Sequence, residues 1–214
     1  MAPSYWPLFN LVLRTPRLSL RPPTDDDFPQ LIQAIDAGIH DPQMMPFSMP
    51  WTDTEPGARG QQAAQFWWRQ RAEWSSNEWH LVFAVFHDDV VVGAQGLFAK
   101  HFPVLKEVQT GSWLTQCAQG QGFGKEMRAA VLQLAFEELG AEIARSAAFI
   151  DNMPSLAVSR SIGYRDNGRY REAPRGTPNT MINFELTRDE WLARRGELSR
   201  AHVSGLDGCL SMFG

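Results

Sequence analysis

A chain of 214 residues, with 43% hydrophobic and 11% aromatic side chains, holds enough apolar material for one packed domain and is neither disordered nor fibrous in composition. A net charge of -4 lacks the electrostatic footprint of a nucleic-acid binder, and no apolar run approaches the roughly 20 residues that span a bilayer. Two cysteines, Cys117 and Cys209, provide neither a disulfide framework nor a metal-ligand pair. Residues 1–214 therefore read as a single cytoplasmic domain without metal, and Met1–Leu13 lacks the basic flank and cleavage site of a secretory signal.

Arg17–Arg21 alternates polar and apolar residues and predicts a first strand, bounded by Pro22-Pro23. Thr24 followed by Asp25, Asp26 and Asp27 predicts a helix start, a hydroxyl cap followed by acids at the positive end of the dipole. Phe28, Leu31, Ile32 and Ile35 supply its apolar stripe, and Gly38 its stop. From His40 the composition shifts to Pro, Met and aromatics, HDPQMMPFSMPW, a loop suited to packing over a pocket or partner. A second helix is predicted over about Pro56–Ser76, with Phe66 and Trp67 on one face.

Strands follow over His80–Phe86 and Val90–Lys100, joined by a hairpin-like turn at Asp88-Asp89, and over Glu107–Thr115. Gly122–Leu139 carries the clearest helical period, with Phe123, Met127, Ala130, Val131 and Leu134 on one side and Gly140 ending it. A strand over Ala141–Ile150, a short helix over Pro154–Ile162 closed by Gly163, and strands over Tyr164–Glu172 and Asn179–Leu186 complete the pattern. The tail, residues 190–214, begins as a helix and then loses its period. One parallel crossover through the long helix predicts an α/β (α+β) fold, a mixed central sheet covered by helices.

The segment with the most chemistry is Gln119-Gly120-Gln121-Gly122-Phe123-Gly124-Lys125, between a strand and the long helix. Glycines let the backbone approach a ligand, and a helix start offers unpaired N–H groups, which together suit a phosphate or pyrophosphate. Lys125 and Arg128 add cations in the first turns. A P-loop is excluded, because Gln119 occupies the first glycine position and Glu126 follows the lysine. A dinucleotide fingerprint starting from Gly120 fails at Lys125. The plainer alternative is a glycine-rich connection with no ligand.

Gln119-x-x-Gly122-x-Gly124 resembles the acyl-CoA pyrophosphate loop of the GCN5-related N-acetyltransferase (GNAT) superfamily. About thirty residues on, Asn152-x-x-Ser155 and Ser161-Ile162-Gly163-Tyr164 are similar to that superfamily's next element. Upstream, Arg14-Thr-Pro-Arg-Leu-Ser-Leu-Arg21 resembles the opening of the RimJ/RimL-type branch, which acetylates protein N-termini and small amines. The pieces stand in family order between about residues 14 and 186.

The resemblance implies two parallel strands, Glu107–Thr115 and Ala141–Ile150, that splay apart to admit pantetheine. Main-chain groups of Trp113, Leu114 and Thr115 would then meet the pantetheine amides. Residues Gln119, Gly120, Gln121, Gly122, Phe123, Gly124 and Lys125 would form the pyrophosphate loop, with Asn152 and Ser155 beside the thioester sulfur. The reaction implied is direct attack of an amine on acetyl-CoA, with succinyl-CoA as the alternative donor used by some RimL-type relatives. Ser155 becomes the candidate acid toward the leaving thiolate, Asn152 an orienting group or helix cap, and Glu107 a candidate base or a solvated strand-end acid. His40 and His80 are further base candidates, and Trp51 is placed at the acceptor pocket, with Phe47, Trp67 and Trp68 as core or lid. Cys117 reads as a small buried residue. A non-catalytic acyl-CoA sensor whose tail docks a partner, a nucleotide-binding enzyme and a homodimer remain open alternatives.

Overall fold

The turn at Asp88-Asp89 sets the frame of the sheet. The computed structural model describes residues 5–214, so residues 1–4 of the expected single domain lie outside the described residues. Strands β3 (Glu78–His87) and β4 (Val90–Lys100) flank the turn. Both aspartates take positive φ, 49° and 62°, as a two-residue hairpin turn with the right twist requires. Pairing then runs from Glu78↔Lys100 to His87↔Val90, with one bulge at Val85/Phe86.

Around this hairpin nine strands form one sheet in the order β7-β8-β6-β5-β4-β3-β2-β1-β9. These are β1 (Val12–Arg14), β2 (Ser19–Arg21), β5 (Glu107–Leu114), β6 (Ile143–Phe149), β7 (Arg165–Glu172), β8 (Asn179–Thr187) and β9 (His202–Ser204). Among the described residues only β5 and β6 are parallel. That is the crossover expected from the long helix, and the mixed α/β reading holds.

Helices cover both faces. On one lie α1 (Phe28–Asp36) and α2 (Pro56–Ala72), where Phe28, Leu31, Ile35 and Trp67 pack on Ala84, Phe86 and Val91. Thr24 starts this unit as expected: its backbone N–H donates to Asp27 Oδ2 at 2.7 Å. The short α3 (Phe102–Leu105) precedes β5. On the other face, α4 (Phe123–Gln133) and α5 (Met153–Ile162) bury Phe123, Met127, Ala130, Val131 and Leu156. The alternation of β3 explains the two layers, since Trp79, Leu81, Phe83 and Val85 join the α4 core while Ala84 and Phe86 face α1.

Three expectations are corrected. The opening strand expected over Arg17–Arg21 is shorter, Ser19–Arg21, and a strand not expected, Val12–Arg14, precedes it as its hairpin partner. The long helix is α at first and then a π turn over Leu134–Glu138, ending before Gly140, whose φ is 72°. The tail has fixed structure: α6 (Arg188–Arg194) is capped by Thr187 and Glu190, β9 pairs with β1, and Cys209 and Phe213 are buried.

Glu137 in the π turn ties α4 to this tail. Its carboxylate accepts from Arg200 at 2.6 and 2.8 Å and from Trp191 Nε1 at 3.1 Å. The Arg200 hydrogen bonds hold its carboxyl below the ordinary value of 4.5. Its stabilising contribution is therefore complete above that value and is lost as pH falls through the lower folded-state one. Glu137→Gln is expected to cost about 1–2 kcal/mol at neutral pH. Urea denaturation at about pH 7 and about pH 3 should show the gap to wild type shrinking on acidification.

Candidate active site

The site begins where two strands stop pairing. β5 and β6 are in register only at Glu107↔Ile143, Val108↔Ala144 and Gln109↔Arg145. Beyond these, β6 keeps pairing with β8 as far as Phe149↔Met181, and β5 with β4 as far as Leu114↔Gly93. A wedge therefore opens through the sheet toward Leu114 and Phe149, and among the described residues no strand lies beside this edge of β5 beyond Gln109.

The glycine loop stands at the open end. Gly120 and Gly122 have φ of 73° and 83°, left-handed backbone that turns the chain so that α4 starts facing the wedge. The first N–H groups of α4 have no partner within the helix. The glutamine side chains hold the loop's shape: Gln119 Nε2 donates to Ile39 O and Leu114 O, and Gln121 Nε2 to Cys117 O. Phe123 packs its ring into the core, which leaves only its main chain for a ligand. Thr115 is corrected as a pantetheine contact, because its N–H already donates to Val92 O and its carbonyl accepts from Ala118.

Two cations differ from expectation. Arg128 points inward, not toward the loop: it is 4% exposed and donates to the hydroxyls of Ser159 at 2.9 Å, Ser112 at 3.2 Å and Ser146 at 3.5 Å. Burial pushes its pKa down. It spans β5, β6 and α5 beneath the wedge. The loop's second cation is instead Arg17, whose Nη1 donates to Gln121 O and whose Nε donates to Glu126 at 2.7 Å. Glu126 also accepts from Thr15 at 2.6 Å and from the Arg17 N–H at 3.0 Å. Nothing local in the sequence links Arg17 to a loop more than 100 positions away.

Asn152 and Ser155 lie past the end of β6, at the start of α5. Asn152 Oδ1 accepts from the Ser155 N–H at 3.2 Å, an N-cap. α5 abuts α4 at its first turn, where a Cβ on Gly124 would stand 3.4 Å from Val158 and 3.8 Å from Leu114. So β5, α4 and α5 converge at the mouth of the wedge. Glu107 is at the opposite, closed end, ion-paired to Arg145 at 2.6 Å. About seven residues of strand at about 3.3 Å each separate it from Leu114, too far to serve as a base at the mouth.

On the α1–α2 face the wedge adjoins a cavity of about 560 Å³. Phe47, Trp51, Trp67, Phe98 and Trp113 wall it, with Gly96, Gly111 and Ser112 on the sheet side. Trp51 lines this cavity, its ring 6.3 Å from Trp113 and 5.1 Å from Phe47. Trp68 is exposed, its indole donating to Asp25. His40 does not line the cavity: it meets Phe47 edge-on, with Nδ1 at 2.8 Å from Asp41 O and Nε2 at 2.8 Å from Thr52 Oγ1. His80 lies beyond Phe98, bonded to Gln70, on a separate cleft of only about 30 Å³. Cys117 is exposed, not buried, with Sγ 3.3 Å from Thr115 Oγ1.

Solved structures share this fold. A Vibrio cholerae structure assigned as a ribosomal-protein-serine acetyltransferase matches with 25% identity and a TM-score of 0.65, over 82% of this chain and 97% of that one. Mycobacterium smegmatis RimJ, solved with a CoA disulfide, has 18% identity and a TM-score of 0.71 over 91% and 98%. RimL, a ribosomal α-N-protein acetyltransferase solved with coenzyme A, has 17% identity and a TM-score of 0.65 over 84% and 99%. The model of the GNAT acetyltransferase domain matches residues 17–165, more than half of the chain. With the wedge, the glycine loop and the α5 cap in family order, the chain belongs to the GNAT acetyltransferases.

Proposed function

We propose that residues 1–214 act as one acyltransferase unit that moves an acyl group from coenzyme A to a primary amine, by direct attack within a ternary complex. Acetyl is the default donor group and succinyl the alternative. The acceptor is a protein N-terminal α-amine, as for the RimL relative, or a small amine. One observation carries this reading: β5 and β6 part after three register pairs, with the glycine loop at the mouth of the opening.

The residues present fit coenzyme A. Gln119 to Lys125, through the loop N–H groups and the head of α4, would hold the pyrophosphate, with Lys125 and Arg17 as cations. The edge of β5 at Leu114 would meet the pantetheine amides, whereas the Trp113 carbonyl, like Thr115, faces β4. The bound thioester supplies the activated acyl carbon. Asn152 fixes the first turn of α5, which sets Ser155 to donate a proton toward the leaving sulfur. The aromatic cavity orients the amine and keeps water off, and alignment of the two reactants provides much of the rate.

Thermal shift and calorimetry with CoA, acetyl-CoA, succinyl-CoA, ATP and NAD test this, because a ligand of the native state alone raises stability. Selective stabilisation by CoA thioesters is expected, and the better thioester identifies the donor. Turnover with an amine excludes a purely sensing role. Stabilisation by ATP or NAD with none from CoA overturns the assignment.

A further inference from the structure

The large cavity has a chemistry that acyl transfer alone does not explain. An alkylamine arrives as an ammonium, and a site built for it supplies a carboxylate to hold it and a base to deprotonate it. Among the described residues, no Asp, Glu or His lines this cavity. Two acids on the surrounding elements are engaged elsewhere. Asp36 of α1 pairs with Arg59 at 2.6 Å, and Asp53 of the loop pairs with Arg175. His40 is bonded through both ring nitrogens, and His80 is held by Gln70 beyond Phe98. The charge that does line the cavity is positive: Arg59, and Arg69, which has no ion-pair partner among the described residues.

The shape is equally specific. Gly96 lacks a side chain because the Phe98 ring folds back over it, where a Cβ would collide with the ring edge. That ring forms a flat wall, and Phe47, Trp51 and Trp113 form an aromatic cluster across the same space. Walls of this kind take a planar ring by stacked or edge contacts. At about 560 Å³ the space is sized for a small molecule.

We propose that the acceptor is a primary aromatic amine bearing an anionic substituent, with its ring among the aromatic walls and its anion at Arg69. This rests on the acyl-transfer reading above. The lone pair of such an amine is delocalised into its ring, so it is neutral at physiological pH and needs no base from the protein. In the transfer the nitrogen bonds the acyl carbon and the carbon–sulfur bond breaks. The proton lost from nitrogen is balanced by the one that converts the thiolate to free thiol.

Four probes separate the chemistries: 4-aminobenzoate, aniline, benzylamine and spermidine. Calorimetry and quenching of the cavity tryptophans read binding without coenzyme A, and thiol release from acetyl-CoA reads turnover. The expected order is 4-aminobenzoate, then aniline, then the two alkylamines. Arg69→Glu should lower kcat/KM for 4-aminobenzoate about tenfold while leaving aniline within about twofold, as loss of one charge-assisted contact predicts. Arg69 lies on the exposed side of α2, so the variant folds. Benzylamine or spermidine binding or reacting better overturns the proposal, as does failure of 4-aminobenzoate to bind a protein that binds CoA thioesters. Failure of every CoA thioester to bind overturns the acyl-transfer reading instead, and 4-aminobenzoate binding would then still support the cavity assignment.

Discussion

Gly122→Asp is expected to weaken coenzyme A binding about a hundredfold or more while leaving the apo fold intact. Two effects act at this position, and their sizes differ. Gly122 has φ of 83°, a left-handed conformation that Asp tolerates better than most residues, at a cost of about 1 kcal/mol. The added Cβ would stand 3.3 Å from Arg17 Nη2, the mobile end of a side chain that can yield. Backbone strain is the smaller term.

The carboxylate is the larger one. It would stand among the N–H groups proposed for the pyrophosphate and draw Arg17 onto itself. Like charges about 4 Å apart at an effective dielectric near 20 repel by about 4 kcal/mol. Screening by salt at this exposed loop leaves about 3 kcal/mol, which is about a hundredfold in affinity. Gly122→Ala carries the strain without the charge, so it should lose less than about tenfold. Calorimetric titration of both variants with CoA, beside their apo melting temperatures, separates the terms. If Gly122→Asp binds CoA as wild type does, the loop does not hold the pyrophosphate.

Local chemistry made the loop legible in the sequence, and the same is true of the Asp88-Asp89 hairpin and the Thr24 cap, each a short run with its own geometry. The wedge was visible only through family resemblance, because it arises from where pairing ends, and no residue pattern marks that point. Arg128 looked like a phosphate ligand by its distance from the loop. It lies one turn after Gly124, which abuts Val158, so helical geometry carries its side chain inward between β5 and β6. Glu107 was misplaced for a related reason: the sequence puts it on the right strand, and strand length puts it at the wrong end. Arg17 reaches the loop through Glu126, a contact of high sequence separation that no periodicity records. The cavity likewise depends on α2 and β3–β5 meeting in space.

The tail shows the same limit with the largest consequence for stability: Phe213→Ala is expected to cost about 3–4 kcal/mol. Residues after Arg200 have no helical or strand period to advertise a fold, yet Phe213 is 1% exposed. Its ring meets Trp79 edge-on at 5.1 Å and Trp74 at 5.5 Å, and Trp79 in turn packs on Phe102 at 5.2 Å. The Trp74 indole donates to Met212 O at 3.0 Å, fixing the approach of the chain. Truncation to Ala therefore removes a buried ring and two aromatic pairs, each worth about 0.5–1.5 kcal/mol beyond area. Leu in its place restores volume without the ring geometry and should recover about half of the loss. Urea midpoints at constant m-value measure both variants. A docking tail independent of the domain would show no change in either, whereas a tail that closes the sheet through β9 and fills the Trp74–Trp79 corner must lower stability when its anchor is cut.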